Sequence, residues 1–240
     1  MAEGTLLLHA FPLDASMWGP QIEALRDVKV VAPNLPGFGG AASAGEAMSM
    51  DASADAAADA LRAAGLERAV VCGLSMGGYV ALALWRRHRE MVEGFVFANT
   101  RAGADDEAGK ERRRALAERL RSEGNGFLVE SPPPLLSTGA SEELWARVKR
   151  IIAAQPAEAI AAASLGMAER PDSTGDLAGI DVPTLVITSS GDTLIPPEAS
   201  RPMASQIPGA RLEEIEGAGH LSNLEAPDRF NEILRGQISG

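Results

Sequence analysis

Residues 71–78 read "VCGLSMGG": one serine, with a glycine two positions before it and another two positions after. The apolar run "AVVC" leads in and "YVALALW" leads out, so Ser75 stands where a strand gives way to a helix. In that context G-x-S-x-G forms a sharp turn that presents one hydroxyl at the carboxyl end of a sheet. Gly73 and Gly77 suit a crossing too tight for Cβ atoms. The same letters also fit a glycine-rich turn with a capping serine. The flanking sequence decides between the two.

Working outward, the apolar runs "TLLLHA" (5–10), "VKVVAP" (28–33), "RAVVCG" (68–73), "VEGFVFAN" (92–99) and "VPTLVITSS" (182–190) are short and mostly rich in valine. None alternates cleanly, which is how strands buried on both faces of a parallel sheet read. "ARLEEIEG" (210–217) does alternate and predicts a strand nearer an edge. Helices are predicted over 16–26, 53–65 and 76–90. Strand and helix in alternation predict an α/β fold with a mostly parallel sheet flanked by helices. Residues 103–178 break the rhythm, with helices near 107–123, 141–154 and 156–169 and no evident strand. The three prolines of "SPPP" (131–134) bar one continuous helix. The expected organisation is a core of 1–102 and 179–240 carrying a helical cap at 103–178.

A serine nucleophile needs a base. Of three histidines, His88 lies among charged residues at a helix end and reads as surface, while His9 closes the first strand. His220, in "EGAGHLSNLEAP", follows the last predicted strand, and ligand sites of α/β sheets form at such strand ends. The base needs an orienting carboxylate. Asp192 directly follows "TLVITSSG"; Asp105 and Asp106 are alternatives lying several residues beyond their strand. The chain order Ser75, Asp192, His220 is the one in which a parallel-sheet hydrolase presents its triad. The N–H of Met76, at the head of a helix, is placed to meet an oxyanion. The second donor is expected from the loop "HAFPLDASMW" and is assigned to the N–H of Phe11, with His9 holding that loop. Met17, Phe127 and Trp145 are candidate apolar walls, and Arg101, just past the 92–99 strand, is a candidate partner for a substrate carboxylate.

Charge and composition narrow the partners. With 33 acidic against 22 basic residues the net charge is −11, a field that repels polyanions. The most basic stretch, "KERRRALAERLR" (110–121), interleaves glutamates as a solvated helix face does. No nucleic-acid partner is expected. Cys72 is the sole cysteine, so no internal disulfide forms. Thr5–Leu8 is too short for a leader or a membrane span, so a soluble, cytoplasmic protein without a membrane partner is expected. "GLSMGG" lacks a phosphate-loop lysine and "GFGG" (37–40) lacks the dinucleotide fingerprint; neither cofactor nor metal is expected. Nothing in the sequence sets an oligomeric state.

The segments "HAFPLDASMW", "APNLPGFGG", "CGLSMGG", "SSGDTLIPP" and "GAGHLSNLEAP" closely resemble the α/β-hydrolase superfamily over nearly the whole chain. The chain looks most like the small-capped carboxylesterases and 3-oxoadipate enol-lactonases, and is similar to the carboxylesterase that releases pimeloyl groups from a carrier protein. The resemblance implies cleavage of small to medium carboxylic esters or lactones through an acyl-serine on Ser75, with Asp192 and His220 completing the triad. Perhydrolases, carbon–carbon bond hydrolases and a non-enzymatic ligand-binding protein are the alternatives. Two features depart from the pattern. His9-Ala10 stands where the family has His-Gly, and an alanine methyl there can shift the Phe11 amide. Only "MAEG" precedes the first strand, where the family opens with an antiparallel strand pair. A sheet reduced at that edge, or a shortened chain, is expected.

Overall fold

The computed structural model describes residues 3–239; Met1, Ala2 and Gly240, at the extremes of the two core segments, lie outside them. Six strands form the sheet: β1 (Thr5–Leu8), β2 (Val30–Val31), β3 (Ala69–Leu74), β4 (Val92–Ala98), β5 (Thr184–Ser189) and β6 (Arg211–Ile215). Their order is β2-β1-β3-β4-β5-β6, and every pairing is parallel. Among the described residues no antiparallel strand joins the β2 edge. β1, β3 and β5 are buried along their whole length, which explains their unbroken apolar runs. β6 is an edge strand as expected, but only Ile215 is buried and Leu212 lies open to solvent. β2 is two residues, not the six of its apolar run; Pro33, which has no N–H for a ladder, follows closely.

The helix expected over 16–26 is two pieces. A 3-10 turn, Ala15–Trp18, is capped by the Asp14 side chain, and α1 (Gly19–Ala24) then starts afresh with proline in its first turn. α2 (Met50–Ala63) begins earlier than predicted because the Ser49 side chain caps it. α3 (Met76–His88) packs on β1, β3 and β4. Between β4 and β5 come α4 (Glu107–Glu123), α5 (Gly126–Glu130), α6 (Glu142–Ala154) and α7 (Ala157–Ala168), so the three expected helices are joined by a short fourth that stops before the prolines. α4 packs along α7. α8 (Pro197–Gln206) covers β5 and β6, α9 (Ser222–Glu225) is one turn, and α10 (Pro227–Ser239) packs on β4 and β6. Among the described residues no single helix is long and apolar enough to cross a membrane.

Candidate active site

Ser75 sits between β3 and α3 at φ 56, ψ −114, a backbone region costly for a residue with a Cβ. Neighbouring strands hold it there. The Ser75 N–H donates to the Ala98 carbonyl at 2.9 Å, and the Thr100 hydroxyl donates to the Ser75 carbonyl at 2.8 Å. The glycines around it are steric necessities. A Cβ on Gly73 would lie 2.3 Å from the Gly77 carbonyl oxygen, one on Gly77 2.1 Å from that of Leu8, and one on Gly78 2.4 Å from the Thr100 hydroxyl.

His220 and Asp192 meet across two loops. His220 Nδ1 lies 2.7 Å from Asp192 Oδ2, with both side chains buried. The other carboxylate oxygen, Oδ1, accepts the N–H groups of Leu194 and Ile195, each at 2.9 Å. Burial pushes the Asp192 carboxyl upward. The hydrogen bonds from His220, the Ile195 amide and Asn99 outweigh it and leave the group below its ordinary value. The alternatives are used elsewhere: Asp106 caps α4 through the Gly109 N–H, and Asp105 pairs with Arg101, Arg113 and Arg170. The loop of His220 is seated on the segment before α6. The Leu221 N–H donates to the Leu135 carbonyl at 2.9 Å, and Glu225 receives both the Ser137 and Gly219 amides.

Ser75, His220 and Phe11 open onto one cavity of about 640 Å³. Among the described residues the N–H groups of Phe11 and Met76 have no protein acceptor. Ala10 is fully buried and its own N–H is taken by the Met17 sulfur at 3.2 Å, so the alanine is accommodated beneath the loop. His9, fully buried, bonds through both ring nitrogens. Its Nε2 accepts the Leu35 N–H at 3.0 Å, which leaves Nδ1 to donate to the Ala10 carbonyl at 3.1 Å. His88 pairs with Asp55 at 2.7 Å, remote from the cavity lining.

The expected wall residues divide. Phe127 and Arg101 line the cavity. Met17 and Trp145 do not: Met17 is packed under the first loop with its sulfur on Ala10, and Trp145 on α6 packs against the hydrophobic core. Arg101 is engaged with Asp105. The wall also holds Arg112, Arg113 and Arg119 of α4, from the stretch expected as a solvated helix face; Arg112 and Arg119 are exposed as expected, at the mouth of the cavity. Arg113 pairs with Asp105, and Arg119 pairs with Glu123 at 3.0 Å and lies 3.8 Å over the Phe127 ring. Among the described residues Arg112 has no acidic partner. A second unforeseen residue is Asn99, whose buried side chain reaches Asp192 at 3.0 Å.

The profile of the alpha/beta hydrolase family matches residues 5–233. The chain is 30% identical to 3-oxoadipate enol-lactonase 1 of Acinetobacter baylyi, over 99% of its own length and 89% of the relative's. Among solved structures, a thermophilic esterase from Thermogutta terrifontis with malate bound superimposes with a TM-score of 0.93 at 40% identity, covering 98% of this chain and 90% of that one. The enol-lactonase of Burkholderia xenovorans LB400 gives 0.90 at 28% identity, covering 100% and 92%. With its parallel sheet, its serine turn and a matching profile over nearly its whole length, the chain belongs to the alpha/beta hydrolase family.

Proposed function

We propose that the protein is a serine hydrolase of carboxylic esters or lactones, with Ser75 as nucleophile, His220 as base and Asp192 as the acid that orients it. The observation that carries this reading is His220, held by the buried Asp192, opening onto the same cavity as a serine at positive φ. Relatives named as an esterase and as enol-lactonases support the substrate class.

The chemistry follows from the geometry. With Nδ1–H donated to Asp192, the free Nε2 of His220 takes the Ser75 proton as the hydroxyl attacks an ester carbonyl. Asp192 keeps that tautomer and offsets the imidazolium charge. The N–H groups of Phe11 and Met76 receive the developing oxyanion, a role in which one donor contributes about 3–4 kcal/mol. The imidazolium protonates the leaving alkoxide. Water, activated by His220, then hydrolyses the acyl-serine. Residues 103–178 act as the cap that roofs the cavity, through Arg112, Leu116, Phe127 and Leu135. Its cationic wall suits esters or lactones that carry a carboxylate, and Arg112 is the guanidinium free to meet it. The malate bound to the T. terrifontis esterase supports this choice.

A hydrolysis screen of aryl esters and lactones on wild type and Ser75→Ala tests the proposal. Turnover should fall by at least ~10³-fold in the variant, and an organophosphonate should leave its adduct on the "CGLSMGG" peptide. An adduct on Ser49 or Ser222, or turnover unchanged in Ser75→Ala, would defeat the assignment.

A further inference from the structure

Asn99 follows β4 directly, at φ 46, with its side chain fully buried. Its Nδ2 donates to Asp192 Oδ2 at 3.0 Å and to Ser189 Oγ at 3.1 Å, while its Oδ1 accepts the Ser222 hydroxyl at 2.6 Å. One side chain from the middle of the sheet therefore touches the loop of the acid and, two residues past His220, the loop of the base. Its neighbours hold the nucleophile: Ala98 accepts the Ser75 N–H and Thr100 donates to the Ser75 carbonyl. The tripeptide 98–100 bonds to all three triad loops.

The donors to Asp192 show what Asn99 adds. Both bonds to Oδ1 come from the acid's own loop and move with it. Apart from His220, Asn99 is the donor from another element. Among the described residues it is the side chain that ties the carboxylate to the frame of the sheet. Its orientation is determined by the carboxylate, which only accepts: Nδ2 faces Asp192 and Oδ1 is left to accept the Ser222 hydroxyl, whereas the opposite flip would set oxygen against oxygen. The left-handed backbone aims the side chain toward β5, and asparagine is among the few residues with a side chain that tolerate it.

We propose that Asn99 is a positioning residue of the active site, holding Asp192 in the orientation that meets His220 and keeping the acid and base loops in register. The proposal rests on the serine-hydrolase reading above. It is tested with Asn99→Gly, which keeps the positive φ but removes the amide, and Asn99→Asp, which keeps the shape but loses the donor. kcat and KM are measured on a neutral activated aryl ester, in the wild-type background and in Asp192→Asn. In the wild-type background kcat should fall about tenfold to a hundredfold, with KM within about twofold, as for a small misplacement of a catalytic group. In Asp192→Asn both effects should shrink to about twofold or less, since a residue acting through Asp192 has nothing left to orient. Ser222→Ala, which removes the hydroxyl that anchors Asn99 Oδ1 and with it the tie to the loop of the base, should lower kcat in the same direction and serves if Asn99→Gly fails to fold. A cooperatively folded Asn99→Gly with wild-type kcat, or an equal loss in both backgrounds, would overturn the proposal. Wild-type turnover that does not depend on Ser75 would instead overturn the hydrolase reading beneath it.

Discussion

His9 is fully buried with both ring nitrogens bonded, one to the Leu35 amide and one to the Ala10 carbonyl. Only the neutral ring satisfies both, since protonation would set an N–H against an N–H. Burial lowers its pKa to about 4, with the Ala10 carbonyl partly opposing. In the unfolded chain the imidazole takes up a proton near pH 6.5. Between those values unfolding binds a proton, so the contribution of His9 is complete above about pH 6.5 and is lost as pH falls toward 4. The loss approaches about 3 kcal/mol. Urea unfolding of wild type and His9→Asn at pH 7.5 and 4.5 checks this: the variant starts less stable, and its further loss on acidification should be smaller by about 2 kcal/mol. An equal acid loss in both proteins would remove His9 as the titrating group. The candidates Ser75, Asp192 and His220 were legible because each stands in a glycine-marked loop after a predicted strand, in the chain order that the family resemblance implies. Asn99 was not legible. An asparagine closing a strand is ordinary in sequence, and its role depends on which way a left-handed residue sends its amide.

Gly77 and Gly166 are two of the glycines at which elements cross closely, and only Gly77 was readable. Gly77 belongs to the serine motif, and a Cβ there would meet the Leu8 carbonyl oxygen where α3 crosses β1. Gly166 lies within α7 in the unremarkable run "SLGMA". A Cβ on it would lie 1.7 Å from the Met48 carbonyl oxygen, because the loop before α2 runs against the helix and its Met48 N–H donates to the Ala162 carbonyl at 2.9 Å. No local pattern announces a contact between residues so far apart in sequence. Overpacking of this kind costs about 1–3 kcal/mol, even though alanine is the better helix former. Gly166→Ala should therefore lower Tm by roughly 2–10 °C in a chain of this size. A Tm at or above wild type by calorimetry would show that loop and helix part without cost. Similar logic separates good element boundaries from poor ones. The limits of α4 match their prediction because Asp106 and Gly124 mark its two ends. The expected helix over 16–26 divides because Gly19-Pro20 restarts it.

Across the whole molecule charge is unevenly placed. The net charge is −11, yet the cavity is lined by four arginines against one aspartate. The long-range field would oppose an anionic substrate and the cavity wall would attract it; under the proposed carboxylate preference the short-range contact prevails. Of the four wall arginines, Asp105 engages Arg101 and Arg113, and Glu123 engages Arg119. Arg112, exposed and without an acidic partner among the described residues, is the arginine that the proposed preference assigns to a substrate carboxylate. Composition gave the overall sign of the charge, but only the fold shows that α4 turns part of "KERRRALAERLR" toward the cavity. The test uses ester pairs matched in size: an aryl hemiglutarate against an aryl valerate for a carboxylate on the acyl side, and acetoxybenzoate against phenyl acetate for one on the alcohol side. Arg112→Ala should lower the carboxylated-to-neutral ratio of kcat/KM in at least one pair by about tenfold, the loss of one charge-assisted hydrogen bond. Arg62→Ala changes the net charge equally from the exposed face of α2, where Arg62 pairs with Asp59, and should leave both ratios within about twofold of wild type. Raising ionic strength should narrow the difference between wild type and Arg112→Ala, since screening weakens a partly exposed ion contact. Equal ratios in wild type and Arg112→Ala for both pairs would remove the carboxylate preference and leave a hydrolase of uncharged esters.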